Sequence, residues 1–554
     1  MSVPLHSTEG LAPFAVTPRA ALSTQAQHAA SIWLYMLRKR QIPVLAALLL
    51  AAFLAFFYAA DLKGIWNDEA VRLTIANGGI PIENLEKRQP GIALDVINAI
   101  GSSGYQPVYP LLVNRVLRLT HSYSVIPVVT TNPLIFLLSA VGIYQLAGRL
   151  LAPGPRLLAV TLYVWNGFAM VHVLQVREYP LILLFLIYNA LFLHQLFDPS
   201  REPSRWTFWL VPVGHCVTGV GAFYTTLWAP FFLWPQGLIA LLAVRSEARR
   251  ALTVLASLVV TALACLPWVI SIPGNSAVFV SWDKHEPSMS LLAAQLKRGT
   301  EHLLTGAGEP AAPLMQVYYW SMLFVLVAGM FFLCWRFFRE RFAVQHLVLT
   351  TLGFLGFQVA YFFLREPLST WPHYFILYLP FVALLIPVSI SKVLLVSAQP
   401  VARRSWIYVV LLAVVGLAGT AQIKNHYGNP YVDHGPDFRV VYRYLASHVA
   451  PEDKIAVGLP TNRMALIYYW PTPQQIRLGY HLSAAEGAAS PRRIWTVSYV
   501  DEKSPAYLKF AEELEKIGYR LVMTQTVSAV TIRHFDMILN ALVPGSNATE
   551  KGAG

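Results

Sequence analysis

Residues 38–69 read RKRQIPVLAALLLAAFLAFFYAADLKGIWNDE, and this stretch decides how the rest of the chain is interpreted. A basic triplet precedes an apolar run over residues 43–60, which is long enough to cross the hydrocarbon core of a bilayer. Positive charge beside a first span stays in the cytoplasm. The run is therefore predicted to be a membrane span that leaves the N-terminus inside. The acidic pair Asp68-Glu69 then lies in a polar loop on the opposite side.

The composition is typical of a polytopic α-helical membrane protein. Of the 554 residues, 56% are hydrophobic and 13% are charged, with a mean hydropathy of +0.49, whereas soluble proteins carry about 25% charged residues. An odd number of spans would put the two termini on opposite sides of the membrane. Eleven are predicted, near residues 43–60, 124–148, 157–174, 179–197, 206–224, 226–244, 252–272, 316–335, 342–364, 374–391 and 405–422.

The net charge of +13 belongs mainly to the membrane part of the chain. Residues 1–422 hold 28 Lys+Arg against 17 Asp+Glu, whereas residues 423–554 hold 14 against 12. With eleven spans, sixteen basic residues fall on segments predicted to be inside and five on the short outside connections. This is the bias that the positive-inside rule describes. Topology therefore explains the basic excess, and no nucleic-acid partner is expected.

The chain is expected to divide into three parts. Residues 1–37 are predicted to form a disordered cytoplasmic tail, residues 38–422 a transmembrane domain, and residues 423–554 a small extracytoplasmic α/β domain with a mainly parallel sheet. No acid, base or metal cluster is evident in the sequence of the C-terminal domain. Loop 61–123 is predicted to lie outside and to carry interfacial amphipathic helices, over residues 91–100 and 107–119.

Asp68 and Glu69 have a structural interpretation and a functional one. Asn67 is predicted to cap a helix whose first turn holds both acids, and a helix dipole stabilises carboxylates there by about 0.3–1 kcal/mol. The same dipole keeps a carboxylate ionised and ready to accept a proton. Position favours the functional interpretation, because the pair directly follows the first span and lies on the side predicted for the other polar connections.

A second outside connection carries unusual side chains for its length. Residues 175–180 read Gln-Val-Arg-Glu-Tyr-Pro between two spans, although a short hairpin usually carries Gly, Asn or Ser. The structural interpretation is that Arg177 pairs with Glu178 or with a lipid phosphate. The functional interpretation is that Arg177 and Tyr179 bind a phosphate in a site.

Two further connections add basic residues on the same side. One begins at Arg365 and ends at Trp371-Pro372-His373-Tyr374, where aromatic residues commonly anchor a span at the membrane boundary. The other is loop 273–315, which carries Lys297 and is long enough to fold over a site as a lid.

These motifs together resemble the membrane glycosyltransferases of the type-C fold. The resemblance covers residues 38–395 and rests on the acidic pair, the following interfacial helices and the Arg-x-Tyr connection. The run His373-Tyr-Phe-Ile-Leu-Tyr-Leu-Pro380 is similar to one that opens a late span in many members. Within this fold, the chain resembles the bacterial enzymes that use polyprenyl-phosphate sugars, including the lipid A aminoarabinose transferase and the relatives of protein O-mannosyltransferases.

The resemblance implies a role for each matching residue. Asp68 is similar to the catalytic base of the family and Glu69 to its supporting acid, while Arg177 and Tyr179 match the motif of the second connection. The chain departs from the family at two positions. Gln175 stands where many members have an acidic residue. His373 stands where many have Arg.

The predicted reaction is an inverting transfer by a hexosyl- or pentosyl-type glycosyltransferase at the periplasmic face of a bacterial inner membrane. The donor is a polyprenyl-phosphate sugar, and the acceptor is a lipid, a glycan or a protein. The transfer requires a base on the acceptor and positive charge on the departing phosphate. A divalent metal ion could bridge carboxylate and phosphate, with Glu69 and Glu178 as its candidate ligands. The expected phosphate-binding residues are Arg177, Tyr179, Arg365, His373 and Lys297.

The alternative is a membrane transporter or a flippase for lipid or polysaccharide. Transporters usually show internal repeats and ionisable residues at mid-membrane. The sequence shows no repeat, and its charged residues cluster at the connections. The histidines within or near spans occur singly and are interpreted as packed or hydrogen-bonded rather than as a relay, namely His172, His194, His215 and His346.

Overall fold

The structure is a computed structural model of the whole chain. It describes residues 41–58, 67–78, 92–103, 106–121, 125–198, 205–271, 287–306, 312–364, 372–396, 401–428, 437–458, 460–470, 475–478, 493–498, 505–527 and 530–537. The predicted N-terminal tail, Arg365 and Trp371 lie outside these residues.

Helices make up most of the described chain. The membrane part contains α1 (Gln41–Tyr58), α2 (Asn67–Ala76), α3 (Ala93–Ser103), α4 (Val108–Thr120), α5 (Ile126–Leu150), α6 (Pro153–Val164), α7 (Gly167–Val173), α8 (Tyr179–Leu196), α9 (Arg205–Phe223), α10 (Pro230–Ser271), α11 (Met289–Thr305), α12 (Pro313–Trp335), α13 (Phe342–Leu364), α14 (Leu379–Val396) and α15 (Val401–Gly428). A 3₁₀ segment, Pro372–Tyr378, precedes α14. The predicted short helices of the first outside loop correspond to α3 and α4.

Helix α10 is a hairpin of two antiparallel arms. The backbone leaves the helical conformation at Glu247. Gln236 on the first arm and Ser257 on the second both hydrogen-bond the imidazole of His215, at 2.8 and 2.7 Å. In a straight helix these two residues would be roughly 30 Å apart, so the arms must fold back on each other. The two arms correspond to the predicted spans 226–244 and 252–272.

The eleven predicted spans all correspond to helices. Among the described residues, eight helices are long and apolar enough to cross a membrane, and the bent pair α6–α7 makes a ninth span. Helix α10 is counted once among the eight, and its two arms match two of the predicted spans. The remaining predicted span corresponds to the shorter apolar helix Trp209–Phe223 within α9. The outward surfaces of α1, α10 and α12 expose large apolar side chains, as expected of helices that face lipid.

The basic ends of the spans gather on one face of the bundle. Arg149 at the end of α5 pairs with Asp198 just after α8, at 2.8 Å. Glu340, between α12 and α13, accepts Lys392 from α14. Arg250 lies at the turn of the α10 hairpin. Arg149, Arg250 and Lys392 belong to segments that the eleven-span order predicts to lie inside, and their positions agree with that order.

The C-terminal part forms a mixed sheet flanked by helices. Strands β1 (Lys454–Val457), β2 (Ile476–Leu478), β3 (Arg493–Ser498), β4 (Tyr519–Val527) and β5 (Val530–Met537) lie in the order β2-β1-β3-β5-β4. Strand β1 runs parallel to β2 and β3, whereas β5 is antiparallel to β3 and β4. The prediction of a mainly parallel sheet was therefore wrong, because β4 and β5 form a hairpin. The helices are α16 (Phe438–Ala446), α17 (Pro460–Tyr469) and α18 (Pro505–Lys516).

The C-terminal part packs directly on the membrane part. Helix α17 lies along α2, and the Tyr468 hydroxyl accepts the backbone N–H of Val125 at 2.9 Å. The buried apolar core runs without a break from Leu73 on α2 to Leu466 on α17. Because an isolated ten-residue helix is marginal in water, these contacts hold α2 in place. The C-terminal part and α2, the helix that carries Asp68 and Glu69, thus lie on the same face of the bundle. This face is opposite the one with Arg149, Arg250 and Lys392.

Candidate active site

The acidic pair lies in the first turn of α2, on the helix that contacts the second connection. Glu69 is buried, and its Oε1 accepts the backbone N–H of Val176 at 2.6 Å. This charge-assisted bond fixes α2 to the residue that precedes Arg177. The backbone places Asp68 one turn before Arg72 on α2, and the side chain of Asp68 lies outside the described atoms.

A second bond joins the same two elements. Arg72 donates from Nε to Glu178 Oε2 at 2.8 Å and from Nη2 to Oε1 at 3.1 Å, so the ion pair is bidentate. The side chains are 11% and 19% exposed. Burial alone would raise the pKa of Glu178, but the charge and hydrogen bonds of Arg72, with the nearby Arg177, hold it below its ordinary value. The structure thus pairs Glu178 with Arg72, a residue that the sequence analysis did not single out.

Arg177 is directed towards Tyr179. Its Nη1 donates to the Tyr179 hydroxyl at 2.8 Å, and its guanidinium carbon lies 5.6 Å from the centre of the Tyr179 ring. Arg177 is only 4% exposed. A planar guanidinium held in this way presents a fixed fork of donors, which suits bidentate contact with a phosphate.

Buried amide side chains hydrogen-bond the second connection and its neighbours. The Gln175 carbonyl accepts Asn132 Nδ2 at 2.6 Å, and the same Asn132 nitrogen lies 3.0 Å from the Tyr109 hydroxyl. The Gln175 side chain hydrogen-bonds His172 Nδ1 at 3.0 Å. Burial raises the pKa of Tyr109, so its hydroxyl stays protonated. Gln175 therefore works as a neutral hydrogen-bonding residue at the position where an acid is common in the resembled family.

Aromatic residues of the 3₁₀ segment lie beside Arg177 and Tyr179. Together with Arg72, Glu178 and these two residues, they form what is called the cluster below. The His373 ring lies 6.5 Å from the Tyr179 ring and 4.2 Å from that of Tyr374. Tyr374 in turn lies 5.2 Å from Trp228 at the α9–α10 connection. The structure thus brings His373 beside Arg177 and Tyr179, although it comes from a distant part of the sequence.

Lys297 occupies a more peripheral position on α11. Its ammonium lies 3.6 Å from Glu301 one turn further along, and its side chain is 57% exposed. Helix α11 nevertheless borders the cluster, because the His302 ring lies 5.8 Å from Phe168, which packs edge-on against His172 at 4.4 Å. Arg365, the remaining basic candidate, lies outside the described residues.

The two carboxylates considered for a metal ion are held by protein groups. Both oxygens of Glu178 are bonded by Arg72, and one oxygen of Glu69 accepts a backbone N–H. The part of the chain that the structure describes holds no group of three or more His, Cys, Asp or Glu residues arranged for a metal ion. Glu178 therefore fits an ion-pair role, and its arrangement does not fit that of a metal ligand.

Two of the histidines in the spans form a pair and so do not stand singly, whereas the interpretation that the span histidines are packed or hydrogen-bonded is confirmed. His194 Nε2 on α8 lies 3.1 Å from His346 Nδ1 on α13, and both side chains are buried. His215 is hydrogen-bonded on both ring nitrogens, to Ser257 and Gln236. His194 lies near the end of α8 that is opposite Glu178, and His215 lies in the middle of α9, so neither belongs to the cluster.

Comparisons with known proteins bear on the fold. No protein-family model matches the sequence, and no match was found among curated proteins. The apo structure of ArnT from Cupriavidus metallidurans is 13% identical and matches with a TM-score of 0.53 over 90% of this chain and 98% of ArnT. ArnT bound to undecaprenyl phosphate matches with a TM-score of 0.51, at 13% identity, over 89% and 98%. The prediction of the type-C glycosyltransferase fold is thereby confirmed.

Proposed function

We propose that this chain is a glycosyltransferase that moves a monosaccharide from a polyprenyl-phosphate donor to an acceptor at the membrane surface. The observation that carries the proposal is the double attachment of the acidic helix to the second connection, through Glu69 to Val176 and through Arg72 to Glu178. On a type-C fold, this attachment brings a carboxylate-bearing helix and a buried arginine to one end of the bundle. Such an arrangement suits a substrate with a reacting hydroxyl and a departing phosphate.

In the proposed reaction, Asp68 removes the proton from the acceptor hydroxyl. The acceptor oxygen forms a bond to the anomeric carbon while the bond from that carbon to the phosphate oxygen breaks. The polyprenyl phosphate leaves with the electron pair. A single displacement of this kind inverts the configuration at the anomeric carbon.

The other residues of the cluster are proposed to bind and align the donor. Arg177, held by Tyr179, contacts the phosphate in bidentate fashion and stabilises the charge that develops on it. His373 lies beside Tyr179 and is proposed to contact the donor from the same side. Glu69 acts by holding the second connection rather than by contacting substrate. Lys297, which lies on α11, and Arg365, which follows α13 in the sequence, are proposed to approach the phosphate as well.

The site is proposed to face the periplasm of a bacterium whose inner membrane holds the protein. The cluster and the C-terminal part lie on the face opposite Arg149, Arg250 and Lys392. Basic ends favour the cytoplasmic side, so the opposite face is the extracytoplasmic one. A lipid, a glycan or a protein could reach the cluster there.

The proposal is tested with the purified full-length protein in lipid nanodiscs. The protein is offered a panel of polyprenyl-phosphate monosaccharides together with envelope lipid, glycan and peptide fractions, and release of free polyprenyl phosphate is measured. Polyprenyl-pyrophosphate sugars, which carry a second phosphate in the linkage, serve as the control donors. We expect release from at least one monophosphate donor that depends on an acceptor fraction. Absence of release from every monophosphate donor would refute the proposal.

A further inference from the structure

The bent span α6–α7 is interrupted beside the candidate active site. Its two helices meet at an angle of 51°, and α7 has only seven residues. A helix this short cannot fix its own position. Its far end leads directly to Gln175 and Arg177, so the contacts that hold the start of α7 contribute, beside those of α2 and Asn132, to the position of the second connection.

Two buried amide side chains hold the start of α7. Asn166 Oδ1 accepts the N–H of Ala169 at 3.0 Å, and Gln422 Oε1 accepts the N–H of Gly167 at 3.0 Å. The first N–H groups of a helix have no partner within it. Asn166 and Gln422 are 9% and 3% exposed, so without these bonds the amide hydrogens of α7 would be buried and unsatisfied.

The same two side chains satisfy the end of α11. Asn166 Nδ2 donates to the Leu303 carbonyl at 2.9 Å, and Gln422 Nε2 donates to the Leu304 carbonyl at 3.3 Å. These carbonyls belong to the last turn of α11, where helical partners are lacking. Each amide therefore bridges the N-terminus of α7 to the C-terminus of α11, and the two helix dipoles meet with opposite signs.

The bridge depends on close approach of two glycines. Gly306, which ends α11 with a φ of +79°, would place a Cβ 2.9 Å from the Cα of Gly167. A Cβ on Gly167 would in turn lie 2.8 Å from the Cβ of Gln422. The junction is thus packed backbone to backbone, and a small displacement of Gln422 must move α7, α11 or both.

The two bridged helices support opposite sides of the candidate active site. Helix α7 leads to His172 and the second connection. Helix α11 packs on the 3₁₀ segment that carries His373, with Gly299 so close to the Phe375 ring that no side chain would fit. The junction therefore links the element that leads to Arg177 with the helix that packs on the segment carrying His373.

We infer that Gln422 is a positioning residue for the transfer reaction, acting from the last span through the α7–α11 junction. The inference rests on the proposed function, because it assigns Gln422 to the geometry of that same site. The hydrogen bonds of Gln422 go to Gly167 and Leu304 and not to Arg177, Tyr179 or His373. Its loss should therefore misalign donor and acceptor without removing a group that binds substrate. Misplacement by about 1 Å can lower a rate by about 100-fold.

Two variants of Gln422 separate its two hydrogen bonds. Gln422→Leu removes both, whereas Gln422→Glu keeps an acceptor for Gly167 and loses the donor to Leu304. Thr420→Val is the matched control, since Thr420 lies on the same helix and bonds the neighbouring Trp165 Nε1 at 3.1 Å without touching the bridge. Each full-length protein is reconstituted in nanodiscs, and kcat and KM for the donor are measured per folded molecule.

We expect Gln422→Leu to lower kcat by about 10-fold to 100-fold with KM unchanged within a factor of about three. Gln422→Glu should lie between it and the wild type, and Thr420→Val should match the wild type. A purely structural role would lower the yield of folded protein but leave kcat per folded molecule intact, and that result would overturn the inference. If Gln422→Leu does not insert, an unchanged kcat in Gln422→Glu overturns it equally.

Hydrogen exchange of the full-length protein gives a readout that does not depend on turnover. Gln422→Leu should speed amide exchange in residues 167–178, whereas Thr420→Val should not. Unchanged exchange there would contradict the bridge even if transfer is observed. Faster exchange in a protein whose wild type releases no polyprenyl phosphate would refute the proposed function and leave the junction itself established.

Discussion

Arg72→Met should weaken the attachment of the acidic helix and lower turnover together. The guanidinium makes two charge-assisted hydrogen bonds to Glu178, at 2.8 and 3.1 Å, with 11% and 19% of the side chains exposed. Breaking a fully buried pair costs about 3–5 kcal/mol, whereas an exposed pair contributes less than about 1 kcal/mol. For this largely buried pair we expect Arg72→Met to lower the free energy of unfolding by about 2–4 kcal/mol.

The assay is a double-mutant cycle of Arg72→Met and Glu178→Gln, with unfolding followed in mixed micelles. We expect a coupling energy of about 1.5–3 kcal/mol. The pair Arg149–Asp198 provides the matched control, because it has the same 2.8 Å separation and similar exposure but lies at the opposite end of α8. Arg149→Met should destabilise the protein and leave kcat unchanged, whereas Arg72→Met should also lower kcat at least tenfold.

The same pair predicts a pH dependence of stability. The pKa of Glu178 is lower in the folded protein than its ordinary value of 4.5. Its contribution is therefore fully present above pH 4.5 and is lost as the pH falls through the folded-state pKa below it. Glu178→Gln should abolish this part of the acid dependence. A coupling below about 0.5 kcal/mol, or an equal loss of kcat in Arg149→Met, would show that the Arg72–Glu178 pair does not hold α2 in its active position.

Two further substitutions separate the site from the interior of the bundle. Arg177→Lys loses the bidentate fork and the stacking on Tyr179, so kcat/KM for the donor should fall at least about tenfold, and near-normal kinetics would remove Arg177 from the phosphate site. His194→Leu leaves His346 buried without its partner and should lower the free energy of unfolding by about 1–3 kcal/mol. Replacing both His194 and His346 with leucine should recover part of that loss of stability and leave turnover unchanged. A loss of turnover would show that the histidine pair takes part in the reaction.

Local features of the sequence allowed much of the fold to be predicted. The lengths of the apolar runs and the placement of arginines gave the spans, including the division of α10 near Glu247, where charged residues interrupt the run. The acidic pair was found in the same way, from its position after the first span. In the C-terminal part, β2 has three residues and β5 carries Arg533 and Asp536, so neither strand stood out and the sheet was taken as mainly parallel.

Contacts between distant residues could not be predicted from the same features. Arg72 and Glu178 are 106 residues apart, and a lone arginine on a short helix gives no sign of its partner. His194 and His346 are 152 residues apart and each lies in an ordinary apolar run. Gln422 bonds Gly167 across 255 residues. Such pairs depend on how the spans pack, which periodicity and composition do not specify.

The role of Asp68 as the catalytic base is tested most directly by the turnover of Asp68→Asn in nanodiscs, with release of polyprenyl phosphate measured beside the wild type. The change keeps the size of the side chain and removes its ability to accept a proton. We expect transfer to be abolished while expression and membrane insertion match those of the wild type. Near-normal release by correctly inserted Asp68→Asn would contradict the assignment of the acidic helix as the source of the catalytic base.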